Sequence, residues 1–244
     1  VCIRDRMKKE MYIMIKAVIF DLDDTLVSEY DYVKSGYKCV ARRLAVQKIF
    51  PATFDEIYRV LLDLFAEDSK NVFNRLYDYF EIPYSKKEIK ELVNVYREHK
   101  PDINFLENAD TLLTELRSRG YKLGIITDGY AITQRNKLDA LKVDYLVDYI
   151  CITDELGREL WKPHPISYLL LLEKFNLKAQ ECIYIGDNEL KDFITAKSIG
   201  MQTIKIERVN GIYRESSLKF KRFYQADKKI RSLWEIKNFL GVIS

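Results

Sequence analysis

No run of apolar residues in this sequence is long enough to cross a bilayer. The longest, Ile15 to Phe20 and Tyr168 to Leu172, fall far short of the roughly 20 residues that a membrane-spanning helix requires. No membrane partner is expected. Charge of one sign is also missing, because 40 basic residues stand against 37 acidic ones, a formal net charge of +3. The charges are interspersed, without the basic footprint of a nucleic-acid binder. CxxC spacing is absent among the four cysteines, Cys2, Cys39, Cys151 and Cys182. The last two sit inside apolar strand-like runs, as reduced buried thiols do, so a cytoplasmic location is expected. There is no internal repeat and no low-complexity segment.

What is present is a chain of 244 residues, 48% hydrophobic, long enough for one large domain or a domain carrying an insertion. Ile15 to Phe20 is a nearly continuous apolar run ending in an acidic turn, the pattern of a strand buried on both faces of a parallel sheet. Lys122 to Thr127, Cys182 to Gly186 and Gln202 to Ile206 share that character. Amphipathic segments at Ala109 to Arg119, Ala131 to Leu141, Ile166 to Phe175 and Leu190 to Ile199 accompany them. Strands alternating with helices predict an α/β fold with a doubly wound parallel sheet.

Between Val27 and Phe105 apolar residues recur only at helical spacing, as in Ile57, Val60, Leu61, Leu64 and Phe65. The expected organisation is a core of residues 14–27 and 105–244, an all-helical cap of residues 28–104, and an N-terminal extension of residues 1–13. Val1 to Asp5 is expected not to be native protein, with Met7, Met11 and Met14 as candidate starts. Ile230, Leu233, Trp234, Ile236 and Leu240 predict a closing helix.

Four short elements carry chemistry. Asp21-Leu22-Asp23-Asp24-Thr25 delivers three acids in four residues to the end of the first strand. Carboxylates that close repel unless a cation offsets them, which implies a divalent metal, and oxygen-only ligands suit Mg²⁺. Asp21 can attack phosphorus, and Asp23 can give a proton to the leaving oxygen and later activate water. The blander reading is a helix N-cap. Thr127, Asp128 and Gly129 follow another strand and offer a hydroxyl and backbone N–H groups to a phosphate, though an N-cap would look the same. Lys162, in a turn stiffened by Pro163 and Pro165, can neutralise phosphoryl oxygens and the nucleophile; His164 beside it reads as an exposed turn residue. Gly186-Asp187 ends a further strand, and Asp192 opens the next helix. Asp187 would hold metal and Asp192 would orient the site.

In order and placement these residues resemble the haloacid dehalogenase superfamily of phosphohydrolases. Its four motifs are matched by Asp21-Leu22-Asp23-Asp24-Thr25, Thr127, Lys162, and Gly186-Asp187 with Asp192. The resemblance implies a Rossmann-like core with a helical cap after the first strand. It also implies Mg²⁺ held by Asp21, the main-chain carbonyl of Asp23, and Asp187, with Asp192 in the same acidic set. Asp23 argues for phosphoryl transfer, since dehalogenases of the superfamily lack the second aspartate.

The expected function is therefore Mg²⁺-dependent hydrolysis of a small phosphorylated metabolite through an aspartyl-phosphate. Asp21, Asp23, Thr127 and Lys162 are the catalytic candidates, and Thr127, Asp128, Gly129 and Lys162 the phosphate ligands. The metal candidates are Asp21, Asp23, Asp187 and Asp192. A sugar-phosphate mutase and a catalytically inactive binding domain are the alternatives. No nucleic acid is expected, and the assembly is expected to be a monomer or homodimer. Glu29, Tyr30, Tyr37, Arg97 and Lys100 lie near the cap hinges, but tyrosine in such helices more often marks a core boundary.

Overall fold

The computed structural model describes residues 14–209, 211 and 222–240. The expected N-terminal extension lies outside them, as does part of the charged stretch after Glu207. Strand β1 (Ala17–Phe20) is buried along its whole length. It lies between β2 (Lys122–Thr127) and β4 (Cys182–Gly186), parallel to both. With β3 (Tyr149–Ile152), β5 (Gln202–Ile206) and β6 (Lys228–Ile230) it makes a six-stranded parallel sheet in the order β3-β2-β1-β4-β5-β6.

Alternation along the strands feeds two cores. Val18, Phe20, Leu123, Ile125, Ile183 and Ile185 face one layer, with Leu112, Leu113 and Leu116 of α5 (Ala109–Ser118) and Leu138 and Leu141 of α6 (Ala131–Leu141). Ala17, Ile19, Ile126, Cys182 and Tyr184 face the other, against Tyr168 and Leu171 of α7 (Ile166–Phe175) and Phe193 and Ala196 of α8 (Phe193–Ile199). This three-layer arrangement is the expected doubly wound fold. Strand order reverses between β1 and β4, and open α/β sheets bind ligands outside the carboxyl ends of strands at such a point.

Four helices lie between β1 and α5. They are α1 (Glu29–Gln47), α2 (Phe54–Glu67), α3 (Val72–Tyr79) and α4 (Lys86–Glu98). Ser28 caps α1, and Thr53 with Glu56 and Ser85 with Glu88 form capping boxes, satisfying first-turn N–H groups. Tyr37, Leu44, Ile57, Leu61, Leu76 and Leu92 belong to a buried cluster whose members all fall between Val33 and Leu92. The chain leaves and re-enters the sheet side by side, through a Val27–Phe105 bridge and the Leu106 N–H donating to the Leu26 carbonyl at 2.9 Å. Thr133 and Asn136 of α6 donate to the carbonyls of Arg97, Glu98 and His99 at the end of α4. These helix-end carbonyls would otherwise be unpaired.

Several expectations are corrected. Two strands beyond the four anticipated border the sheet. Edge strand β3 has only four residues, and β6 presents two exposed lysines, so neither carries a long apolar run. Ile230 belongs to β6, and the expected closing helix is a 3₁₀ turn, Leu233–Phe239, whose buried Leu233 and Ile236 are three residues apart. That spacing stacks side chains in a 3₁₀ turn. Helix α8 begins at Phe193 rather than Leu190, because the Asn188 side chain accepts from the Leu190 N–H at 3.0 Å in an Asx turn. No described helix is long and apolar enough to cross a membrane.

Candidate active site at the carboxyl edge of the sheet

The pairing of Phe20 with Ile125 and with Ile185 puts the residues just beyond β1, β2 and β4 at one edge. Asp21 extends the ladder, its N–H donating to the Ile185 carbonyl at 2.8 Å. Lys162 reaches this point from the loop before α7. Its side chain is wholly buried and its Nζ donates to Asp21 Oδ1 at 2.6 Å, Asp192 Oδ1 at 2.7 Å and the Tyr184 hydroxyl at 3.0 Å. Burial disfavours the ammonium, but the Asp192 and Asp21 carboxylates outweigh it and hold the Lys162 pKa well above its ordinary value.

Lys162, even with Lys191 nearby, does not balance the local acids. Oxygens of Asp21, Asp187 and Asp192 lie within 4.8 Å of one another. Burial pushes Asp21 up to about 6 even against Lys162. Asp187 is raised well above the ordinary carboxylate range by burial, then by Asp192, Asp21 and Asp24. Asp192 is fully engaged, since its Oδ2 also accepts from the Asn188 N–H at 2.9 Å. The Asp187 carboxylate is buried and has no hydrogen-bond or ion-pair partner among the described residues. An unpaired carboxylate beside a second one, in an all-oxygen donor set, fits a hard divalent cation.

Asp23 is placed differently from the other acids. Lys137 Nζ donates to its Oδ1 at 2.6 Å and Gln134 Nε2 to its Oδ2 at 2.9 Å. Its carboxylate is outside the acidic group, although Asp23 does line the cavity. Gln134 also donates to the Thr127 hydroxyl and the Asp128 carbonyl, and Lys137 lies 4.4 Å from the centre of the Tyr32 ring of α1. Sequence reading missed both residues. The available signal was their position, since Gln134 and Lys137 are buried on the same stripe of α6 as Leu138 and Leu141.

The cavity above Asp21 measures about 400 Å³ and is lined by Asp21, Asp23, Gly129, Lys162, Asp187 and Lys191 among others. Asp128 also lines it while latching the lysine loop, accepting from the Lys162 N–H at 3.0 Å and the Thr153 hydroxyl at 2.7 Å. Lys162, Lys191 and these hydrogen bonds keep Asp128 below its ordinary pKa despite burial. Thr127 and Asp192 are not among the residues that line it, and the Thr127 hydroxyl accepts from Gln134 Nε2. On the insertion side Glu29 lines the cavity, and burial, with the Asp23 carboxylate, pushes it up to about 7. His164 is exposed in its turn, as expected.

The chain is similar to known proteins. The chain is 33% identical over 236 residues to a glyceraldehyde 3-phosphate phosphatase of Pyrococcus furiosus, covering 93% of each chain. The corresponding protein of Pyrococcus abyssi is 34% identical over 200 residues, covering 78% of this chain and 81% of the relative. The crystal structure of a HAD phosphatase from Thermococcus onnurineus superimposes with a TM-score of 0.57 at 27% identity, covering 93% of this chain and 99% of that one. Residues 18–206 match the family model described as haloacid dehalogenase-like hydrolase. With the acidic edge and the buried lysine falling inside that span, the chain belongs to the haloacid dehalogenase-like hydrolase family.

Proposed function

We propose that the protein is a Mg²⁺-dependent phosphatase that hydrolyses a small phosphorylated metabolite through an aspartyl-phosphate on Asp21. The observation that carries this is the Asp21 carboxylate, facing a cavity with one oxygen on Lys162 and, among the described residues, an unpaired Asp187 beside it. Asp21 attacks phosphorus as the bond to the ester oxygen breaks, and Asp23 supplies the proton that the departing alkoxide takes up. Water then attacks the acyl-phosphate, Asp23 receives its proton, and the Asp21–phosphorus bond breaks, restoring both residues. Lys162 offsets the negative charge of the phosphoryl oxygens.

Asp21, Asp187 and the main-chain carbonyl of Asp23 would hold the cation. When bound, Mg²⁺ supplies positive charge that neutralises the acidic edge and phosphoryl oxygens. Asp192 then serves to aim Lys162. Residues 28–104 act as a cap that excludes bulk water and large substrates. A cytoplasmic location accords with the free thiols of Cys39, Cys151 and Cys182 among the described residues.

The test is a panel of small phosphate esters assayed with Mg²⁺ and with chelator, scoring released phosphate and isomerised ester together. Phosphate release that stops on chelation, and that falls by about two orders of magnitude or more in Asp23→Asn, is expected. Isomer without free phosphate would sink the phosphatase in favour of a mutase.

A second expectation concerns Gly186. A Cβ there would lie 2.4 Å from Asp192 Oδ2, so the carboxylate that aims Lys162 must move. Gly186→Ala is expected to lower kcat by about tenfold to a hundredfold, the cost of misplacing a catalytic group by a fraction of an ångström. Unchanged kcat would show that Asp192 does not position the lysine.

A further inference from the structure

Two cations packed beside aromatic walls of the cavity have no acid partner among the described residues. Each lysine nearby already faces a carboxylate: Lys162 faces Asp21 and Asp192, Lys137 faces Asp23 at 2.6 Å, and Lys191 lies 3.5 Å from Asp128. Arg97 and Arg158 have no ion-pair or side-chain hydrogen-bond partner among the described residues. Both guanidinium groups lie instead near the Tyr130 ring, 3.6 Å and 5.3 Å from its centre, and Arg158 is also 5.4 Å from the Trp161 ring.

Tyr130 and Trp161 are walls of the catalytic cavity, packed edge to face at 88° with centres 6.3 Å apart. Their position is built into the fold. One carboxylate, Asp154, accepts from Trp161 Nε1 at 3.2 Å and from the Ala131 N–H at 2.9 Å, tying together the segments that carry both rings. Arg97 arrives from α4 of the helical insertion, where Thr133 holds its carbonyl at 3.2 Å. Arg158 arrives from the 3₁₀ turn just before Lys162.

Stacking on an aromatic face positions a guanidinium without neutralising it. Two such groups drawn to one ring repel each other, and a carboxylate or phosphate between them relieves that repulsion while accepting charge-assisted, forked hydrogen bonds. We propose that Arg97 and Arg158 form a second anion subsite. The substrate is then a small phosphate ester bearing a second anionic group, a carboxylate or another phosphate, at the end remote from the scissile bond. Tyr130 and Trp161 supply the apolar wall along the intervening carbons. The orientation of the ester, phosphate end at Asp21 and Lys162, rests on the phosphatase reading.

The test compares ω-carboxyalkyl phosphates, alkanediol bisphosphates and plain alkyl phosphates of equal length, in the wild type, Arg97→Met, Arg158→Met and the double variant. In the wild type, kcat/KM for at least one doubly anionic series is expected to exceed that for the alkyl series by about tenfold or more, with the advantage carried by KM. In the double variant that ratio collapses towards unity, and Arg97→Lys retains part of it. Whichever series gains more identifies the second group. Equal kcat/KM for all three series in the wild type overturns the subsite. So does a loss in the double variant that is the same for every ester, the signature of a mere clasp between insertion and core. If no ester is turned over, the phosphatase reading fails, and calorimetric binding of the same compounds decides the subsite by itself. Charge-dependent affinity lost in the double variant sustains it; affinity indifferent to the second charge, or no binding, overturns it.

Discussion

Replacing Asp21 by Asn is expected to lower turnover by about four orders of magnitude or more, as deletion of a covalent nucleophile does elsewhere, while leaving the fold intact. The amide keeps the shape of the carboxylate but cannot attack phosphorus. The other contacts persist without the charge: the Asp21 N–H still donates to the Ile185 carbonyl, and Lys162 still has Asp192 and the Tyr184 hydroxyl. Because burial already pushes the Asp21 pKa up to about 6, removing that charge relieves a desolvation cost. The chelated variant is therefore expected to melt within a few degrees of the wild type, or above it. The gain in Tm on adding Mg²⁺ should shrink, since one of two candidate ligand carboxylates is lost. Acid-quenched wild type should carry a hydroxylamine-sensitive phosphoryl group that Asp21→Asn lacks. Turnover within tenfold of wild type would rule out covalent catalysis at this residue.

The parts legible in the sequence are those governed by local pattern. Strands buried on both faces read as apolar runs, so β1, β2, β4 and β5 and the acids and glycine that end them could be placed directly. Strand β6 could not, because Lys228-Lys229-Ile230 is held as a strand by pairing with Ile204–Ile206, with two lysines in water. The site divides along the same line. Asp21, Lys162 and Asp187 sit in turns where residue order reveals chemistry. Lys137 and Gln134 are polar residues on an apolar helix stripe, and their role exists only through contact with Asp23, more than a hundred residues away in sequence. Arg97 and Tyr130 likewise meet only when α4 folds back onto α6, a contact that no periodicity encodes. The fold likewise brings the Gln134 amide to the Thr127 hydroxyl, while Asp128 and Gly129 line the cavity.

Lys162→Met should damage stability and catalysis together, and the two losses can be separated. Methionine fills much of the same volume, so the loss is chiefly electrostatic: Asp21 and Asp192 stay buried without the ammonium that touches both. Removing one partner of a buried ion pair typically costs about 3–5 kcal/mol, a large share of the roughly 5–15 kcal/mol that holds a domain folded. The sign of the pH response follows from Asp21. Its folded pKa, about 6, already lies above the ordinary 3.8, and Lys162 is a group that lowers it; without the lysine it rises further. A carboxyl raised in the folded state stabilises below its unfolded pKa, and that stabilisation is lost as pH rises through the folded value. The chelated variant should therefore gain Tm as pH falls from about 8 to about 6, more steeply than the wild type. Asp192→Asn added to Lys162→Met removes one of the stranded charges and should recover part of the stability. It should recover none of the turnover, expected to stay about two to three orders of magnitude down for want of a cation at the phosphoryl oxygens. Recovery of both in the double variant would mean that Lys162 acts only by keeping the acidic edge folded.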